Sequence, residues 1–114
     1  MIDDFEIAGD KNFKWKEQFP SVFKNGGFDI VIGNPPYVTF ALGAKQSHDD
    51  NIVDHLKTKY PLASVYKVSS YLIFMQVGLE LLNNDGIFSY IIPNTYHTNY
   101  FYREFRHYLI DNYQ

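Results

Sequence analysis

Apolar and polar positions alternate along this chain in ways that predict a small set of elements. Residues 28–33, Phe-Asp-Ile-Val-Ile-Gly, form a short and almost unbroken apolar run, as expected of a strand buried inside a parallel sheet. The charged stretch 45–60 carries Ile52, Val53, Leu56 and Tyr60 at near-helical spacing, and Pro61 closes it, so a helix is expected there. A second helix is expected from Ser69 or Ser70, either of which could cap it, to about Asn83. Leu72, Met75, Leu79 and Leu82 make its stripe, and Tyr71, Phe74 and Val77 widen it. Asn84-Asp85-Gly86 reads as its stop and turn. Ile87 to Ile92 then reads as a second strand, halted by Pro93, and a last helix is expected near Asn99 with Phe101, Phe105 and Leu109 at steps of four. Residues 13–27 read as a surface segment around Trp15, Phe19, Pro20 and Phe23 that ends at the Gly26-Gly27 breaker, and residues 1–12 as loop or weak strand. Strand, helix, strand, helix is a βαβα order, which predicts an α/β fold with a parallel sheet and a right-handed crossover.

Composition narrows the class. The chain has 114 residues, enough for a single domain, and is 46% hydrophobic and 18% aromatic, which excludes intrinsic disorder. No apolar run approaches the ~20 residues of a membrane-spanning helix, and the acidic start Met1-Ile2-Asp3-Asp4 is unlike a secretory signal. There is no cysteine, which excludes a disulfide framework or a thiolate metal site and agrees with a cytoplasmic location. The formal charge is −3. A module that neutralises many phosphates by itself should be basic, so a nucleic-acid substrate would have to be gripped largely from elsewhere.

The candidate chemistry sits directly after the first strand, at Asn34-Pro35-Pro36-Tyr37. Two consecutive prolines fix φ near −65° and remove two backbone donors. The carbonyl oxygens of Asn34 and Pro35 are thereby expected to face a ligand instead of a helix or a sheet. Asn34 adds a side-chain oxygen and Tyr37 a flat ring. Together they form a set of acceptors suited to an exocyclic amino group, beside a surface that can stack on the planar system bearing it. The carboxyl end of a parallel strand is where open α/β sheets bind ligands. His48, His55, His97 and His107 lack metal-ligand spacing, so no metal is expected. Lys57, Lys59, Lys67, Arg103 and Arg106 read as solvated charge that could touch phosphate.

The run FDIVIGNPPYV resembles the catalytic motif of methyltransferases that transfer the methyl group of S-adenosylmethionine to an amino nitrogen. The aromatic segment 13–27 and the run SSYLIFMQVGLELLNNDGIFSYIIPNTY at 69–96 resemble the N6-adenine DNA methyltransferase module of type II and IIG restriction-modification enzymes. The resemblance covers residues 13–38 and 69–112 and leaves 39–68 as an insertion. It implies a partial Rossmann-like, S-adenosylmethionine-dependent methyltransferase fold, made of the central strands and helices around the loop. It further implies that Asn34 and Pro35 accept the two N6 hydrogens, that Pro36 stiffens the turn, and that Tyr37 stacks on an adenine flipped out of double-stranded DNA. Asn34 would also neighbour the methyl group of the cofactor.

Several family parts have no counterpart in these residues. The glycine-rich cofactor loop after a first strand and the acidic residue for the ribose hydroxyls are missing, and Gly26-Gly27 precedes a strand instead of following one. The expectation is therefore that residues 1–114 are a fragment of a larger bacterial methyltransferase domain, inactive alone, with target recognition located elsewhere. Ser69 stands where relatives commonly carry Asp or Asn and reads as a helix cap, and Pro93-Asn94 reads as a turn that could line the pocket. Methylation of a release-factor glutamine or of RNA adenine would use the same turn. A catalytically silent fragment that self-associates through an exposed sheet edge is the alternative of another class.

Overall fold

The computed structural model describes residues 13–40 and 50–114. The expectations for residues 1–12, for the start of the helix at 45–49 and for His48 lie outside the described residues.

Two short helices open the described chain, α1 (Trp15–Gln18) and α2 (Pro20–Lys24). Sequence alone suggested only a surface segment here. Pro20 takes the first position of α2, where its missing N–H costs nothing. The turns stack Phe19, Trp15 and Phe23 around Phe28 at centroid distances of 5.4, 6.0 and 5.7 Å. Gly27 then enters the strand at φ 132°, and a Cβ there would lie 2.6 Å from the Leu81 carbonyl oxygen, so only glycine fits.

Strand β1 (Phe28–Gly33) pairs in parallel with β4 (Leu82–Tyr90), as the βαβ reading requires. Between them lie β2 (Thr39–Phe40), helix α3 (Asp50–Lys59), a 3-10 turn at Pro61–Ala63, β3 (Val68–Ser69) and helix α4 (Ser70–Glu80). After β4 come α5 (Thr95–Thr98), a 3-10 turn at Tyr100–Tyr102 and α6 (Arg103–Asn112). The chain is thus a mixed α/β domain with a parallel sheet.

Four expectations need correction. Helix α4 stops at Glu80, and β4 begins at Leu82 instead of Ile87. The polar residues Asn83 to Gly86 are absorbed as a bulge, for pairing jumps from Phe28–Leu82 to Ile30–Ile87. The bulge is held by Asn83 Nδ2 donating to Asp29 Oδ1 at 2.6 Å and by Asn83 Oδ1 accepting from the Asp85 N–H at 3.0 Å. The last helix starts at Arg103, because Asn99 caps the preceding 3-10 turn through the Phe101 N–H at 3.0 Å. Neither Ser69 nor Ser70 caps α4 with its side chain. At the two ends of the segment 39–68, β2 and β3 form an antiparallel pair, Thr39 opposite Ser69 and Phe40 opposite Val68. Finally, β1 is not buried on both faces.

That last point follows from the layers. Val31, Phe88 and Tyr90 face α4, which crosses so closely at Gly78 that an added Cβ would stand 2.7 Å from the Phe88 ring. The opposite face, with Ile30, Ile32, Ile87 and Ile91, is covered by no described element, and Ile32 and Ile91 are 77% and 70% exposed. The core lies instead on the helix side, around the fully buried Leu72, Val53, Val68 and Phe105. Helix α4 is apolar nearly all round because it is clasped between the sheet and α3 with its neighbours. Among the described residues no helix is long and apolar enough to cross a membrane.

Candidate functional site

The turn Asn34-Pro35-Pro36-Tyr37 leaves the carboxyl end of β1, and its hydrogen bonds divide it sharply. The Gly33 carbonyl accepts the Ile91 N–H at 3.0 Å, and the Pro36 carbonyl accepts the Ser70 hydroxyl at 2.5 Å. Between these two tied groups, the carbonyls of Asn34 and Pro35 receive no hydrogen bond from the described residues. The prolines explain the pattern: with no N–H at 35 or 36, the turn cannot fold back to occupy those oxygens. Pro35 itself is buried, whereas Asn34 and Pro36 are exposed.

Tyr37 is fixed at both ends of its side chain. Its phenol oxygen stands 2.7 Å from Asn34 Oδ1 and 2.7 Å from the Ile91 carbonyl oxygen. Its ring meets Tyr71 edge-on at 6.0 Å, and Tyr71 meets Tyr102 in the same way at 5.9 Å. Tyr37 nevertheless remains 49% exposed, which leaves ring surface open to a stacking partner. Behind it, the Tyr71 hydroxyl is buried without a hydrogen bond at proper geometry. Burial first, and then the neighbouring Tyr102, push Tyr71 well above the ordinary tyrosine range, so it stays neutral.

The group that sequence reasoning missed is Ser70. Its Oγ accepts the Val38 N–H at 2.8 Å while donating to the Pro36 carbonyl, and its own N–H donates to the Val38 carbonyl at 2.9 Å. One serine at the start of α4 therefore holds three backbone groups of residues 36–38. Nothing in a Ser-Ser pair before a helix distinguishes this tether from a cap. Ser69, the neighbour also read as a helix cap, is fully buried in β3 with its Oγ unpartnered.

Other candidates lie apart from this arrangement. Asn94 precedes α5 without capping it through its side chain. Arg106 is committed to the carbonyls of Tyr96 and Asn99, at 2.7 and 2.8 Å. Lys67 lies over the Tyr66 ring, 5.5 Å from its centroid. Among the described residues no cluster of three His, Asp or Glu side chains could hold a metal ion.

One strand end thus gathers two unoccupied carbonyls, a side-chain amide and a tethered ring. In sequence, the profile of the Eco57I restriction-modification methylases matches residues 2–114. The chain belongs to this family. Among similar proteins, a putative type II restriction enzyme and methyltransferase of Methanocaldococcus jannaschii is 29% identical over 105 residues, covering 92% of this chain and 8% of its own. The type II methyltransferase M.BstVI of Geobacillus stearothermophilus is 29% identical over 101 residues, 88% of this chain and 16% of its own. Modification methylase CviBIII of Paramecium bursaria Chlorella virus NC1A is 33% identical over 89 residues, 78% of this chain and 20% of its own. The chain thus spans between 8% and 20% of the length of these relatives. No solved structure matches it. The turn at the end of β1 lies within the residues that match the Eco57I restriction-modification methylase family.

Proposed function

We propose that these residues form the amino-group-holding part of a site-specific DNA methyltransferase, with adenine N6 as acceptor and S-adenosylmethionine as methyl donor. The observation that carries this reading is the unoccupied Pro35 carbonyl beside the Asn34 carboxamide, bracketed by the tied carbonyls of Gly33 and Pro36. An adenine amino group is a poor nucleophile because its lone pair is delocalised into the ring. Asn34 Oδ1 and the Pro35 carbonyl accept its two hydrogens, draw the nitrogen towards a tetrahedral shape and free the lone pair for attack. Each hydrogen is held by a neutral oxygen, so the turn acts by positioning and preorganised dipoles. The open part of the Tyr37 ring stacks on the base once it has left the duplex.

The residues present fit only the methyl end of the cofactor. Among the described residues Asn34 is the polar side chain at the strand end, and no glycine-rich loop following a strand accompanies it. When bound, S-adenosylmethionine supplies an electrophilic methyl group, and its remaining contacts belong to parts of a longer protein. In the same reading the open side of the sheet and the free edge of β1 are completed by further elements of a Rossmann-like domain, with residues 1–114 as its fragment. Double-stranded DNA is gripped mainly by that remainder, in keeping with the net charge of −3.

A second reading is favoured by a specific observation: Ile30, Ile32, Ile87 and Ile91 make an exposed apolar face on which two copies of these residues could associate. One experiment separates the two. Labelled methyl transfer is measured with the intact protein containing this chain, offered duplex DNA, RNA and a release factor side by side. Label in N6-methyladenine of DNA, reduced about 10²–10³-fold by Asn34→Ala with cofactor binding near normal, is the expected result. Label in the release factor or in RNA would move the chain to those acceptors. No label anywhere, with a dimeric mass in ultracentrifugation, would replace the catalytic reading by the associating one.

A further inference from the structure

The Tyr37 phenol has one hydrogen and two carbonyl-type oxygens in front of it, Asn34 Oδ1 and Ile91 O, each at 2.7 Å. It cannot fully satisfy both, and two unshared oxygens at that distance from a third repel. A half-turn of the Asn34 carboxamide exchanges its oxygen and nitrogen at almost no change in shape. The nitrogen then donates to the phenol oxygen, the phenol donates to Ile91 O, and no acceptor is left facing another acceptor. A separation of 2.7 Å is typical of the O–H···O bond and within range, at its short end, for the N–H···O bond, and such head-to-tail chains strengthen one another.

From this chemistry we infer that Tyr37 is a positioning residue whose hydroxyl fixes which end of the Asn34 amide faces the substrate. In the relay Asn34 Nδ2–H to Tyr37 Oη–H to Ile91 O, the amide nitrogen is turned inwards and the oxygen outwards. The outward oxygen accepts from an incoming amino group, and a carbonyl in its place meets an unmatched acceptor. The turn thereby selects a hydrogen-bond donor over an acceptor before any base arrives. Ile91 is well placed as the end of the relay, because its own N–H is tied to Gly33 and so its carbonyl is held relative to β1. This role is additional to stacking, which needs only the ring, and it rests on the methyltransferase reading for its kinetic test.

Tyr37→Phe keeps the ring and removes the relay. Freeing one side chain to reorient should lower the single-turnover transfer rate of the intact protein about 3–10-fold. The fluorescence of 2-aminopurine at the target position, which reports base flipping, should stay unchanged. In an Asn34→Asp background both ends of the side chain are oxygens and orientation is irrelevant, so the same Tyr37→Phe step should cost less than about threefold. A Tyr37→Phe rate within twofold of the parent, or an equal penalty in both backgrounds, would overturn the inference. A neutron structure of the intact protein tests it without any activity: nitrogen towards the phenol supports the relay, and oxygen towards the phenol refutes it. Absence of methyl transfer by the unsubstituted protein would defeat the functional reading alone, and the neutron result would still decide the relay.

Discussion

Removing the Ser70 hydroxyl isolates one contribution to the turn. Ser70→Ala deletes the bond accepted from the Val38 N–H at 2.8 Å and the bond donated to the Pro36 carbonyl. It leaves the backbone N–H of residue 70 on the Val38 carbonyl, and alanine suits the first turn of α4 at least as well as serine. Two neutral hydrogen bonds contribute about 0.5–1.5 kcal/mol each. Val38 and Pro36 are exposed enough for water to replace part of this, so the expected loss of stability is about 1–2 kcal/mol. The effect on reaction should be larger than on folding. The carbonyls of Asn34 and Pro35 are aimed by the residues that follow them, and a displacement of about 1 Å in a reacting group can cost about 100-fold. A fall of about 10–100-fold in the single-turnover rate is expected, with KM for DNA changed less than about threefold. The assay is labelled methyl transfer by the intact protein, with Ser70→Thr as the variant that keeps the hydroxyl and should retain more of the rate. Ser70→Ala reacting at the parent rate, or Ser70→Thr as slow as Ser70→Ala, would show that the tether does not aim the turn.

Two further outcomes follow from packing and ionisation. Gly78→Ala places a Cβ 2.7 Å from Phe88 and 2.9 Å from the Tyr90 hydroxyl. The helix should gain up to about 1 kcal/mol of propensity but lose about 1–3 kcal/mol to overpacking. A lower denaturation midpoint is therefore expected, and a raised one would contradict the close crossing of α4 over the sheet. Burial raises Tyr71, Tyr90 and Tyr96 above the ordinary value of 10.0, and burial with the nearby Tyr108 pushes Tyr113 up to about 12. A raised folded value means that the fold favours the neutral phenol. The stabilisation is complete below pH ~10 and is lost as pH climbs through the folded values. Thermal scans from pH 9 to 12 should show a falling Tm, in step with tyrosinate absorbance and weakened by Tyr71→Phe. A flat profile would argue against the buried tyrosine cluster.

The parallel pairing of β1 with a strand after α4 was legible because apolar run, helical stripe and second apolar run follow one another with clear breakers. The location of the turn was legible for the same reason. The boundaries were not. Asn84-Asp85-Gly86 has the chemistry of a turn and does turn, but within a bulge that lets β4 begin five residues early. The burial of β1 was overestimated, since an Ile-Val-Ile run states what a strand prefers and not which layers are present to cover it. Within the turn, the unoccupied carbonyls of Asn34 and Pro35 follow from the two prolines themselves. Ser70 and Ile91 do not, because their roles depend on a register between segments 32 to 54 positions apart.

That separation has a consequence for timing. Tyr37 and the carbonyl it reaches at Ile91 are 54 residues apart, and a ribosome adds about 5–20 residues per second. Roughly 3–11 s pass between the synthesis of the ring and the synthesis of its anchor. For that interval the nascent chain carries the whole Asn-Pro-Pro-Tyr sequence without the framework that orients it. A chain cut short before Ile91 would carry every residue of the motif without the anchor of its ring, so the placing of Tyr37 arrives only with the strand that closes the sheet.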